Sequence, residues 1–315
     1  MNRTIGTGKY ELLLERCRTL EPVPTAVAHP CDESSFTGAI EAGAKGLITP
    51  ILVGPADKLR SLALSFNVDP DSIRIVDAPH SHASAARAVE LVRKGEAELL
   101  MKGSLHSDEI LGAVVAKDTG LRTGRRVSHV FIMDVPTYHK VLIVTDAAIT
   151  IAPTLEDKVD ICRNAIDLAV SLGVSSPKVA ILSAVETVTS KIPSTIDAAA
   201  LCKMADRKQI TGGMLDGPLA FDNAISAEAA RIKGITSQVA GDPDILLVPD
   251  LEAGNMLAKN LTFLAKADAA GLVLGARVPI ILTSRADSVR SRMASCAAAV
   301  LYADARRRTA TLAAL

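Results

Sequence analysis

Tryptophan is absent from this sequence, and aromatic residues make up only 3% of it. So low a content removes the stacking platforms on which single-stranded nucleic acid is usually held, and it excludes a core built around large rings. Neither charge is in excess, since Lys plus Arg and Asp plus Glu each number 35. A balanced chain has no global field to gather nucleic acid or an anionic membrane surface, so any anion site has to be local. No apolar run approaches the roughly 20 residues of a membrane-crossing helix, and the N-terminus lacks the apolar stretch of a secretion signal. The cysteines, at 17, 31, 162, 202 and 296, are odd in number and include no CxxC pair. Free, buried thiols in a reducing compartment fit that pattern better than disulfides, so a cytoplasmic protein is expected, with neither nucleic acid nor membrane as partner.

Standard nucleotide loops are missing too. Gly38 and Gly43 with Lys45 come near a P-loop, but Ala44 stands where the lysine belongs and no Ser or Thr follows Lys45. No GxGxxG follows a strand, so neither an NAD-binding protein nor a P-loop NTPase is supported. His80 and His82 are two residues apart, as in a loop or strand, and no HExxH or Cys/His tetrad exists, so no metal set can be assembled. His106 and His129 lie near strand ends and stay open as polar groups there.

What the chain does have is length and alternation. Its 315 residues exceed a typical single core, which makes two domains the default. Short apolar runs, among them Thr25–Ala28, Leu47–Val53, Glu98–Met101, Val130–Met133, Val141–Thr145, Val179–Ser183, Ile245–Val248 and Ile280–Thr283, alternate with amphipathic segments such as Glu156–Leu172. That alternation predicts βαβ units around a mostly parallel sheet. No linker is visible. The best crossings are the 146–153 and 275–279 stretches, which divide the chain into domain I (1–146 plus 277–315) and domain II (147–276), with a cleft opening near Ser284.

Chemistry concentrates in Pro279–Ser288. An apolar run ends in Ser284, Arg285 and Asp287: a hydroxyl, a guanidinium and a carboxylate. Ligands of open α/β proteins bind at the carboxyl ends of strands, and a fixed cation there suits an anionic substrate. Ser284 and Asp287 also fit an N-cap with a first-turn acid, but an arginine is not what a helix N-terminus favours. After Ile245–Val248 come Pro249 and Asp250, then Gly254 and Asn255. Asn255 is the expected cap of a helix from Met256, and the segment is either an anion site at a helix N-terminus or a well-capped loop. Asp216–Ala224 reads as a loop rich in turn formers and acids. Met101-Lys102-Gly103-Ser104 ends another apolar run, with Lys102 either reaching a ligand or snorkelling to water.

Taken together, LLMKGS (99–104), GLRTGRRVSHVFIMDVP (120–136), TDAAITIAPTLEDKVDI (145–161), DGPLAFDNAIS (216–226), VAGDPDILLVPDLEAGNMLAKNLTFLAKA (239–267) and GARVPIILTSRADS (275–288) resemble the phosphate acetyltransferase/phosphate butyryltransferase family over about residues 95–300. The resemblance implies reversible transfer of a short acyl group, acetyl or butyryl, between coenzyme A and inorganic phosphate. It implies a two-domain, three-layer α/β/α fold like that of the isocitrate/isopropylmalate dehydrogenases, an active site in the interdomain cleft, and a homodimer. Coenzyme A is then a substrate and no cofactor is called for. The family's Ser-Arg pair falls on Ser284 and Arg285, the arginine associated with phosphate or acyl phosphate and the serine with the reacting centre. Lys102, Gly103, Asp216, Pro249, Asp250, Gly254 and Asn255 lie in the matching segments and are the expected substrate-binding positions. The chain departs from the acetyltransferase branch, which carries an aspartate seven residues after that serine, where Ser291 stands here, and arginines where this chain has Thr262 and, near the KG turn, Gly112. Its SRADS wording resembles the butyryltransferase branch and the acyltransferase portion of proteins fused to an enoyl-CoA hydratase. With Ser291 no acid, Asp287 becomes the expected general base. Two other functions compete: a low-activity subunit that binds CoA ligands for a partner, and a dicarboxylate dehydrogenase of similar fold, for which neither a carboxylate metal cluster nor a nicotinamide site is visible.

Overall fold

The computed structural model of the protein describes residues 8–283 and 287–313. Two compact units emerge, one of Tyr10–Arg125 with Ala270–Leu315 and the other of Arg126–Ala269, with which Lys9 groups. In chain order the first unit contains α1 (Lys9–Cys17), β1 (Val23–Ala28), α2 (Glu33–Ala44), β2 (Ile48–Gly54), α3 (Ala56–Ser65), β3 (Arg74–Asp77), α4 (Ser81–Arg93), β4 (Leu99–Lys102) and α5 (Ser107–Val115). The second contains β5 (Ser128–Asp134), β6 (Leu142–Thr145), α6 (Leu155–Ser171), β7 (Lys178–Leu182), α7 (Pro193–Asp206), β8 (Met214–Leu219), α8 (Phe221–Ile225), α9 (Ala227–Ile232), β9 (Ile245–Leu247) and α10 (Leu251–Phe263). The chain returns to the first unit within β10 (Asp268–Leu274) and ends with β11 (Ile280–Ile281) and α11 (Val289–Ala313).

Strands of the first unit lie in the order β3-β2-β1-β4-β11-β10. All pairs from β3 to β11 are parallel and only β10 runs antiparallel to β11. In the second unit the order is β5-β6-β9-β7-β8, with β5 antiparallel to β6 and the rest parallel. Parallel strands are covered on both faces, which explains why β4, β6 and β9 are buried at every residue and read as unbroken apolar runs rather than alternating ones. The core of the second unit gathers Met133, Val144, Ala180, Leu219, Leu246 and Val248. In the first unit α11 is buried without a break from Ser291 to Ala303, and its Ala/Ser/Cys-rich stretch lets it lie close on α2, β4 and β11.

Three expectations change. The chain passes between units after Arg125 and after Ala269, ahead of the expected 146/147 and 276/277, because β5 and β6 form an antiparallel pair and β6 is locked to β9; the pair cannot be divided from the unit that holds β9. The 216–224 segment is not all loop. Asp216, Gly217 and Pro218 lie inside β8, which among the described residues pairs with β7 alone, and an edge strand is where a proline without an N–H is tolerated. The helix expected from Met256 begins at Leu251, capped by Asp250, whose side chain accepts from the Ala253 amide at 2.9 Å.

Candidate active site

In the first unit the chain runs outward from β1 through β2 to β3, and α4 then carries it back to β4 on the other side of β1. That reversal makes the carboxyl ends of β1 and β4 the topological switch point, where open α/β sheets take ligands. Lys102 closes β4 and is only 8% exposed, so it does not snorkel. Gly103 follows, pressed against the other strand: a Cβ there would lie 2.4 Å from Ala28 O and 2.6 Å from His29 O. Ser104 ties the two loops together, its hydroxyl donating to His29 O at 2.8 Å and accepting from the Cys31 amide at 3.2 Å.

His29, absent from the sequence reading, stands at the end of β1 with a left-handed φ of 56°. Ser84 Oγ donates to His80 O at 2.9 Å, which leaves it to accept from His29 Nδ1–H at 3.0 Å. The imidazole is thereby fixed as the tautomer whose lone pair is on Nε2. Burial, helped by the Lys58 charge, lowers its pKa below the ordinary histidine value, so it is a neutral base at pH 7. Its only sequence signal is a polar residue closing an apolar run. β11 pairs with β4 through Ile281 and Met101, so Leu282 leaves its strand at the same carboxyl edge as Lys102. Ser284 and Arg285 lie outside the described residues. The chain resumes at Asp287, half-buried, whose carbonyl accepts from Arg292 Nη1 at 3.1 Å.

In the second unit the carboxyl ends of β6 and β9 carry Asp146 and the Pro249-Asp250 step. Asp146 is 3% exposed. Its carboxylate accepts from the amides of Ala148, Ile149 and Thr150 at 3.0–3.1 Å and from the Thr150 hydroxyl at 3.1 Å, which fixes the turn after β6. Gly254 and Asn255 lie inside α10. A Cβ at Gly254 would come 2.6 Å from Val248 Cγ2 and 3.0 Å from Ala147 Cβ, and Asn255 Nδ2 donates to Ala147 O at 3.3 Å. Both press α10 onto the turn that Asp146 organises. Asp216 sits in mid-strand, its carboxylate accepting from the next amide, that of Gly217, at 2.9 Å, and is not brought to the carboxyl edge. The structure thus joins Lys102 and Gly103 with His29 in one unit, and Pro249, Asp250, Gly254 and Asn255 with Asp146 in the other. Among the described residues no group of His, Cys, Asp and Glu is arranged to hold a metal ion.

His129, opening β5, is 1% exposed, packs edge-on against Phe131 with centroids 4.3 Å apart, and has no hydrogen-bond partner for Nδ1 among the described residues. Burial lowers its pKa to about 4, outweighing the opposing pull of the Asp146 charge. The unfolded chain takes up a proton near pH 6.5 that the folded protein refuses. This contribution to stability is therefore complete above pH 6.5 and is lost as pH falls towards 4, by up to about 3 kcal/mol. Urea melts at pH 7 and pH 5 should show that loss, and His129→Leu should flatten it; an equally steep acid loss in the variant would assign the effect to other groups.

The family model described as phosphate acetyl/butaryl transferase matches residues 81–300. A phosphate acetyltransferase of Rhizobium meliloti is 67% identical over 308 residues, covering 98% of this chain and 97% of that protein. A phosphate butyryltransferase of Clostridium acetobutylicum is 41% identical over 294 residues, covering 93% and 98%. Among solved structures, a branched-chain phosphotransacylase of Enterococcus faecalis superposes with a TM-score of 0.76 at 29% identity, covering 89% of this chain and 99% of that one. A 4-hydroxythreonine-4-phosphate dehydrogenase of Burkholderia phymatum, at 14% identity, a TM-score of 0.55 and coverage of 90% and 99%, shares the dehydrogenase-like α/β fold. A match over most of the chain and high identity along almost all of it place this protein in the phosphate acetyl/butyryl transferase family.

Proposed function

We propose that this acyltransferase moves a short acyl group, acetyl or butyryl, reversibly between coenzyme A and inorganic phosphate. The observation that carries the reading is the 67% identity, along nearly the whole of both chains, to a protein named phosphate acetyltransferase. Identity of that extent to an enzyme does not favour a low-activity binding subunit. Coenzyme A is a substrate, and no resident cofactor enters the scheme. In the direction of thioester synthesis the CoA sulfur attacks the acyl carbonyl, the S–C bond forms, the C–O bond to phosphate breaks, and the thiol proton passes to a base. A thiol of ordinary pKa is mostly protonated at pH 7, so the base contributes to rate. Asp287 takes that proton. Arg285 holds the phosphate oxygens, and Ser284 donates to the carbonyl oxyanion or to the departing phosphate. Direct attack with both substrates bound needs no acyl-enzyme, because proximity supplies much of the rate. Lys102 and Gly103, at the carboxyl edge of the first unit's sheet, contact the substrate there. Five free cysteines support a reducing, cytoplasmic location, and a homodimer is the proposed assembly, checked by light scattering on the eluting peak.

The test is thiol release from acetyl-, propionyl- and butyryl-CoA with phosphate or arsenate. Phosphate-dependent release is the expected result, and its absence with all three thioesters would overturn the reading. In the same assay Arg285→Ala should raise the KM for phosphate about tenfold or more, the scale of a lost charge-assisted hydrogen bond of about 1.5–3 kcal/mol. Unchanged phosphate kinetics would remove Arg285 from the site.

A further inference from the structure

Arg292, in the first turn of α11, is 8% exposed. Its Nη1 donates to Ser34 Oγ at 2.7 Å and to Asp287 O at 3.1 Å. Nε has no partner and is buried. Among the described residues no carboxylate pairs with this guanidinium, and Nη1 carries both of its hydrogen bonds. Arginine cannot shed its charge in a protein, and a buried charge without a counterion is strongly unfavourable.

Its surroundings sharpen the anomaly. Ser34 lies in the first turn of α2 and Asp287 just ahead of α11, so the guanidinium sits between two helix N-termini. Each of those ends presents amides without intrahelical acceptors and the positive end of a helix dipole. The Asp32 carboxylate is turned to the Ser35 amide and hydroxyl at 2.8 and 2.6 Å, and Glu33 is exposed. α2 also makes room for the cation: a Cβ on Gly38 would lie 3.2 Å from Arg292 Cδ and Nε, so the bare glycine lets the side chain lie against the helix. This gives Gly38, whose place in the sequence only mimicked a P-loop, a physical reason.

We infer that Arg292, with the first turns of α2 and α11, forms a phosphoryl-oxyanion site whose missing counterion is a ligand phosphate. The inference deepens the acyltransferase reading and rests on it for the ligand class. The phosphate is either the inorganic substrate or a phosphate of coenzyme A.

The deciding variant is Arg292→Met, which keeps the bulk and removes the charge. A ligand that binds only the folded state raises the melting temperature. Wild-type protein should therefore melt higher as inorganic phosphate is added. Arg292→Met should melt at or above the wild type without phosphate, because an uncompensated buried charge is gone, and should lose the phosphate-dependent rise. Its KM for phosphate should increase about tenfold or more. A variant that melts lower without phosphate yet keeps the full rise and the wild-type KM would overturn the inference and leave Arg292 as a strut between Ser34 and Asp287. If Arg292→Met does not fold, Arg292→Lys decides on the same two readouts. Repeating the melts with CoA and with 3′-dephospho-CoA identifies the source: a rise with CoA that 3′-dephospho-CoA and Arg292→Met both lose, together with unchanged phosphate KM, would assign the site to the CoA phosphate. Wild-type protein with a phosphate-linked rise but no acyl transfer would sink the functional reading while sustaining the anion site.

Discussion

Asp287→Asn is expected to lower turnover about a hundredfold, the lower end of what loss of a general base costs, with the KM values for phosphate and acyl-CoA little changed. The substitution keeps the size of the side chain and the backbone carbonyl that Arg292 holds, and it removes the ability to accept a proton. Ser291, seven residues after Ser284, is no acid; it is 4% exposed and its Oγ accepts from Ser288 Oγ at 3.2 Å at the start of α11. No carboxylate follows in the helix until Asp304. Asp287 is thus the acid that remains beside the Ser284-Arg285 step. Wild-type turnover in the variant would move the role to His29, whose Nε2 lone pair and neutral state suit it to the same proton. His29→Gln alone and combined with Asp287→Asn would then show which group carries the step.

Much of the fold could be read from the chain because parallel strands buried on both faces leave a plain signature. β1, β2, β4, β5, β6, β7, β9 and β11 each stand where an apolar run is bounded by turn residues. β8 escaped because Gly217 and Pro218 look like a turn, and only its place at a sheet edge makes them acceptable in a strand. The start of α10, at Leu251, is hidden for a similar reason. Gly254 resembles a loop residue, whereas it is needed inside the helix where α10 meets Ala147 and Val248. The site divides along the same line. Lys102 and Gly103 were legible as the end of one strand, since that takes a local pattern. His29 with Ser84, or Arg292 with Ser34, are pairs separated by 55 and 258 positions, and nothing in one sequence says that such residues meet.

Gly103→Ala carries the largest expected cost to the fold. β1 and β4 are in register from Thr25↔Leu99 to Ala28↔Lys102, and the ladder continues beyond them, with the amides of Gly103 and Ser104 donating to Ala28 O and His29 O, both at 2.9 Å. A methyl group on Gly103 would meet Ala28 O at 2.4 Å and the carbonyl carbon and oxygen of His29 at 2.6 Å. All three are backbone atoms, and the His29 amide is anchored from the other side to Val53 O at 2.7 Å. No side chain can swing aside, so the strands must part. The expected destabilisation is about 3 kcal/mol, the upper range for overpacking, or roughly a 10 °C fall in melting temperature for a unit of this size. Gly112→Ala supplies the control. That glycine lies inside α5 with nothing within 4 Å of an added Cβ, so alanine there should raise stability by about 0.5–1 kcal/mol. Separating β1 from β4 would also displace Lys102 and Ser104 at the switch point, so residual Gly103→Ala enzyme should show raised KM values at temperatures where it is still folded. A variant that melts with the wild type would mean that the two strands do not approach as closely as their hydrogen bonds require.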